Sequence, residues 1–151
     1  MSDRIVKTVE LKASVARVWR ALTDYREFGQ WFRVNLDGPF VAGQHSTGHM
    51  TYPGYEHIRW NATVTAMEPE RRFAYTWHPY ALDPDQDYSA ETPTLVEFTL
   101  EAAGAGTRLT IVESGFDRVP AHRRDEAFRM NERGWGTQAE NIARHVDDAA
   151  A

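Results

Sequence analysis

Cysteine is absent from the 151 residues, which removes disulfides, thiolate nucleophiles and cysteine-bound zinc and fits a reducing compartment. Excess positive charge is missing as well. Seventeen lysines and arginines stand against 22 aspartates and glutamates, giving a net charge of −5 and a pI near 5.7. A nucleic-acid binder needs a clustered basic footprint, and no basic tract supplies one, so no nucleic-acid partner is expected. Long hydrophobic runs are lacking: no window approaches the roughly 20 apolar residues of a membrane span, and MSDRIVKTVE has no apolar signal-peptide core. The expectation is a cytoplasmic protein with no membrane partner. G-x-S-x-G, P-loop and dinucleotide-binding fingerprints do not occur, so nucleophile and phosphate chemistries find no support and no cofactor is expected.

What is present is enough to build a core, with 42% hydrophobic and 12% aromatic residues in a chain sized for one domain spanning residues 1–151. Neither an internal repeat nor a linker divides it. Ile5, Val9 and Leu11 alternate with polar residues as in a half-buried strand. Ser14 is a suitable N-cap, and Val15, Val18, Trp19 and Leu22 then follow the spacing of one helical face. DYREFGQWF sets Tyr25, Phe28 and Trp31 three apart, a second short helix or turn carrying an aromatic patch. Gly38, Pro39, Gly43, Gly48, Pro53 and Gly54 break the next stretch into short strands and turns.

The later strands are more regular. Ile58, Trp60, Ala62 and Val64 share a face, as do Phe73, Tyr75 and Trp77, with Glu68 and Pro69 marking a turn between them. Val96, Phe98 and Leu100 form another inward set, and AAGAG returns the chain into TRLTIVESGF, where Leu109, Ile111 and Glu113 share a face. Thr76, His78, Glu97, Thr99, Arg108 and Thr110 make the opposite, polar row, which is suited to solvent. From Pro120 onward Phe128, Trp135, Ala139, Ile142 and Val146 form one helical stripe, with the last residues of DDAAA frayed. One strand, two helices, about five or six antiparallel strands and a long final helix make an α+β fold with helices on one face of a curved sheet.

Four segments in this order, VARVWRALTDYREFGQWF, TAMEPERRFAYTW, GTRLTIVESGF and GWGTQAENIARHV, resemble bacterial proteins similar to the carboxy-terminal domain of the Hsp90 ATPase activator (AHSA1-type), within the START-like (SRPBCC) superfamily. The resemblance runs along nearly the whole chain. It implies the helix-grip, Bet v 1-like fold, a curved antiparallel sheet wrapped around the long C-terminal helix with a cavity between them. It also explains Gly134 and Gly136 beside Trp135: on this expectation they let the helix approach the sheet or bend while the indole turns inward. Trp135 then either walls a cavity or fills a core, and apolar periodicity does not separate the two.

The ligand-binding residues expected on this basis are Phe28 and Trp31 near the mouth, with Trp60, Tyr75, Trp77, Glu113 and Trp135 inside. A carboxylate in an apolar row is costly to desolvate. Glu113 is therefore an orienting group or an acid–base, or else it sits at the exposed end of its strand or pairs with an arginine. His45, His49 and His57 match no recognised helical metal-ligand spacing, so no metal is expected. DPDQDYSAE carries alternate carboxylates like an EF-hand opening, but Tyr88 stands where the turn needs glycine, so it is read as a mobile acidic loop near the cavity mouth. HRRDEAFR reads as a solvated helix face. Three functions follow: binding of a hydrophobic or aromatic small molecule, lipid-like or polyketide-like; an interaction module with an Hsp90-type chaperone partner; or a cyclase/aromatase- or hydrolase-like enzyme using Glu113. A monomer or weak homodimer is expected, any dimer using the patch around Phe28, Trp31 and Phe32 or the loops.

Overall fold

The computed structural model describes residues 3–83 and 85–150, with side chains described as far as Asp147. Strand β1 (Arg4–Leu11) leads into α1 (Val15–Thr23), where the Ser14 hydroxyl accepts a hydrogen bond from the Arg17 amide at 3.2 Å and caps the helix. Asp24 closes α1 and starts α2 (Tyr25–Phe32) by accepting from the Arg26 and Glu27 amides. Strands β2 (Val34–Leu36), β3 (His45–Met50), β4 (Arg59–Glu68), β5 (Arg72–Trp77), β6 (Thr94–Ala103) and β7 (Gly106–Ser114) follow, then a 3-10 turn (Phe116–Arg118) and helix α3 (Ala121–Ala150). The final residue of the segment read as frayed, Ala151, lies outside the described residues.

All seven strands join one antiparallel sheet in the order β1-β7-β6-β5-β4-β3-β2. Because β1 and β2 occupy opposite edges, α1 and α2 must carry the chain from one side of the sheet to the other. A β-bulge between Val64 and Ala66 bends β4 against β5. The period-2 rows lie where the sequence put them: Trp60, Ala62 and Val64, then Phe73 and Tyr75, then Val96, Phe98 and Leu100, then Leu109 and Ile111 are all buried. Trp135, Ile142 and Val146 of α3 are buried along one stripe, and α3 touches β1, α1 and α2.

Two expectations change on the aromatic patch. Phe28 and Trp31 are 0% and 3% exposed, so they stand in the core and not at a mouth. The amphipathic face of α2 turns toward the sheet, where Phe28 stacks on Phe32 with ring centroids 4.9 Å apart and meets Phe40 and Trp60 edge-on. Trp31 donates its indole N–H to the Ala21 carbonyl at 2.8 Å. With Phe28, Trp31 and Phe32 all buried, no dimer contact can use this patch.

One of the two uses expected of the α3 glycines, close approach to the sheet, is not found. A Cβ placed at Gly134 or Gly136 would meet nothing within 4 Å, so neither glycine serves close approach to the sheet. Close approach occurs elsewhere, at Gly29, where a Cβ would collide with the Val34 carbonyl oxygen as α2 turns into β2.

Glu27 joins the three helices. Its carboxylate accepts from Arg17 Nη1 at 2.8 Å and Arg20 Nε at 2.7 Å, both on α1, and contacts His145 Nε2 of α3 at 2.8 Å. Burial pushes its pKa upward, but the hydrogen bonds from His145, Arg20 and Arg17 outweigh burial and hold it below the ordinary glutamate value. A lowered folded-state value stabilises the fold above the unfolded pKa, and this stability is lost as pH falls through the folded one. Glu27→Gln is expected to cost about 1–3 kcal/mol at neutral pH. Urea unfolding should show that deficit shrinking as the medium is acidified below the ordinary glutamate range.

Candidate functional site

The alternation that buries Leu109 and Ile111 brings Glu113, the last inward residue of β7, into the same row at 0% exposure. Neither the exposed strand end nor an arginine partner is found. Oε2 accepts from Trp77 Nε1 at 2.7 Å and Thr94 Oγ1 at 2.5 Å; Oε1 accepts from Trp135 Nε1 at 2.8 Å and Asn131 Nδ2 at 2.9 Å. Among the described residues no ion pair reaches Glu113. The carboxylate is thus satisfied by four neutral donors from β5, β6 and α3. Asn131 and Trp135 stand four apart on α3, one turn on the same face.

Tyr75 lies in the same cross-strand row, which runs Tyr75, Val96, Glu113, Ile5. Its phenol oxygen is buried without a hydrogen-bond partner. Burial, then the neighbouring Glu113 carboxylate, pushes its pKa well above the usual value and keeps the phenol neutral.

In front of this layer lies a cavity of about 840 Å³, open to solvent, bounded by α3, the adjoining ends of β4 and β5, and the loops 51–58 and 78–93. Of the seven residues expected to bind ligand, Trp60, Trp77 and Trp135 line it. Phe28, Trp31, Tyr75 and Glu113 are not in its wall and belong to the packed layer behind. Trp60 is anchored by its N–H to Ser46 Oγ at 3.0 Å, and Trp77 and Trp135 are anchored on Glu113, so all three indoles are fixed from behind. Sequence reasoning missed Phe32, Tyr52, Tyr55, Tyr80, Met130, Asn131 and Gly134 in the wall. A signal existed for Asn131, one helical turn before Trp135 on the same face. Tyr52 and Tyr55 sit in the Pro- and Gly-containing loop and are 44% and 52% exposed.

The acidic loop does border the cavity: Asp83, Gln86, Asp87 and Tyr88 contribute to it, while Pro84 lies outside the described residues. It is tied to α3 by Arg123, which corrects the solvated reading of HRRDEAFR. The Arg123 side chain is 12% exposed, pairs with Glu91 at 2.5 Å, donates to the Pro79 carbonyl at 2.7 Å and lies over the Tyr88 ring at 4.9 Å. Thr76 and His78, placed on the solvent row by alternation, instead reach the cavity, His78 with a buried, unpartnered Nδ1. Burial pushes its imidazole below the ordinary histidine value, Arg123 adding to this and Glu91 and Asp87 opposing it. His45 and His57 also reach the wall, and His45 Nδ1 is 3.1 Å from Thr63 Oγ1.

A curved antiparallel sheet closed on a long C-terminal helix, with an aromatic-walled cavity at the open end of the grip, defines the helix-grip class of START-like domains. The model of one family in that class, described as activator of Hsp90 ATPase homolog 1-like protein, matches residues 12–147, and the chain belongs to this family. Comparison with curated proteins gave no significant match. Among solved structures, MLL2253 from Mesorhizobium loti is 25% identical at a TM-score of 0.76, covering 96% of this chain and 97% of its own. The Aha1 dimer from Colwellia psychrerythraea is 17% identical at a TM-score of 0.70, covering 95% of this chain and 96% of its own. DynU16, a protein in the dynemicin biosynthetic locus, is 22% identical at a TM-score of 0.75; it covers 99% of this chain, which spans only 49% of DynU16. No helix among the described residues is long and apolar enough to cross a membrane.

Two conservative substitutions should separate the used from the unused polar groups in this layer. Trp135→Phe keeps a ring but leaves Oε1 of Glu113 short of a donor, and should cost about 2–3 kcal/mol in denaturant unfolding. Tyr75→Phe deletes an oxygen that has no partner. It should change stability by less than about 1 kcal/mol or raise it.

Proposed function

We propose that this protein binds a hydrophobic or aromatic small molecule, lipid-like or polyketide-like, between α3 and the sheet. The observation that carries the reading is Gly134. It lines the cavity at the middle of a 30-residue helix, and a Cβ there would meet nothing within 4 Å. A helix-interior glycine lowers stability by about 0.5–1 kcal/mol relative to alanine, and here neither backbone contact nor φ requires it. Its effect is to leave space in front of Trp135. Three indoles held by hydrogen bonds from behind give that space a rigid apolar wall, which suits a flat amphipathic body.

The chaperone-interaction reading draws on the family description and on the likeness to the Aha1 dimer. Its test is stimulation of Hsp90 ATPase by the purified protein. An acid–base role for Glu113 has less support from the geometry, because its lone pairs are occupied and it does not line the cavity.

Gly134 supplies the test. Gly134→Ala should raise stability by about 0.5–1 kcal/mol, whereas Gly134→Phe should place its ring in the cavity and abolish retention of small molecules in native mass spectrometry. If ligands that bind the wild type bind Gly134→Phe equally well, they do not occupy this cavity. If the wild type retains or binds nothing from a broad apolar and aromatic library, the binding function is wrong.

A further inference from the structure

We infer that the ligand carries a positive charge, an amine or quaternary ammonium on an apolar or aromatic body, and seats that charge against the Trp77–Trp135 wall. The inference rests on the binding reading above and specifies the class of molecule bound. A fully buried carboxylate is costly unless its charge is compensated, and compensation normally includes a cation. Glu113 has none among the described residues; all four of its partners are neutral. Two of those partners, Trp77 and Trp135, are indoles that also wall the cavity, with ring centroids 5.7 Å apart and planes inclined at 33°.

An aromatic ring is negative on its face and positive at its edge. Donating the indole N–H to a carboxylate engages the most positive part of that edge, and polarisation along the hydrogen bond enriches the ring that faces the ligand. A cation against this wall therefore meets the half-buried Trp77 ring directly and, Trp135 being only 2% exposed, feels the Glu113 charge through the two indoles. Trp60 and Tyr80 extend the aromatic wall, and Asp83 and Asp87 add negative charge from the loop. The opposing charges do not cancel this. Arg123 is engaged by Glu91 and Pro79 and does not line the cavity; Arg59 does, exposed like Asp83 and Asp87, which outnumber it. Among the described residues Arg59 is the one arginine or lysine in the lining, set against two carboxylates.

The test uses three probes built on one naphthylmethyl body, on the full chain: (2-naphthylmethyl)trimethylammonium, its neutral carbon isostere 2-neopentylnaphthalene, and the anion 2-naphthylacetate. Binding is followed by calorimetry and by the indole N–H resonances of Trp77 and Trp135. The ammonium should bind about tenfold tighter than the isostere, shift both indole signals, and exceed the anion by more. Glu113→Gln should narrow the ammonium's advantage to about threefold or less while leaving the isostere's affinity nearly unchanged. An isostere that binds as tightly as the ammonium overturns the cationic assignment and leaves the apolar-ligand reading standing. Failure of all three probes to bind wild-type protein overturns the assignment, and with a blank result in the library screen removes the binding reading too. Should Glu113→Gln not fold, the comparison of ammonium with isostere on the wild type decides alone.

Discussion

One buried carboxylate fixes the relation between helix and sheet. Glu113 lies on β7, Thr94 on β6, Trp77 at the end of β5, and Asn131 and Trp135 on α3, so its four hydrogen bonds join every layer of the grip at one point. Apolar burial alone is non-directional and would let α3 slide or rotate over the concave face. Hydrogen bonds to a charged acceptor are directional, and leaving one unmade in the interior is expensive. The carboxylate therefore sets the rotation of α3, which turns Trp135 inward and puts Gly134 beside the cavity. Toward its other end α3 is held by Glu27 through His145 and by Asp147, whose carboxylate accepts from the Lys12 amide at 3.0 Å.

The cavity follows from this arrangement. Large aromatics ordinarily close any space they border, since interiors pack to crystal-like density. Here the indoles of Trp60, Trp77 and Trp135 are each held by a hydrogen bond on the side away from the cavity. Collapse would break those bonds, and Gly134 offers no side chain to fill the gap. The acidic loop extends the wall over the open end, held down by Arg123 through Glu91, Pro79 and Tyr88. The same residues that stabilise the fold thus keep part of it unfilled.

The fold was legible because its signals are local and periodic. Leu109, Ile111 and Glu113 announce a strand face, and Trp135, Ile142 and Val146 announce a helix face, without reference to the rest of the chain. Orientation was less legible. The spacing of Phe28 and Trp31 shows that they share a side of α2, but not that this side meets Phe40 and Trp60. Glu113 stood out as a carboxylate among apolar neighbours; its partners did not, because Thr94 and Asn131 are unremarkable in their own segments and become donors only once β6 and α3 converge. Gly134 was misread for a related reason. A glycine beside a tryptophan signals a need for space, and sequence does not say whether a backbone or a cavity takes that space. Arg123 looked solvated amid charged neighbours because Glu91 and Tyr88 reach it from a distant loop.

If Glu113 is the pin on which the grip turns, the indole protons of Trp77 and Trp135 should be among the last in the molecule to exchange with solvent, although both rings border an open cavity. Hydrogen exchange of these two N–H groups, resolved by NMR, measures this directly. The account predicts that both exchange with the slowest backbone amides of β5, β6 and β7, through global unfolding alone. Indole exchange orders of magnitude faster than those amides would show that α3 and the carboxylate part company in the native state, and would contradict it.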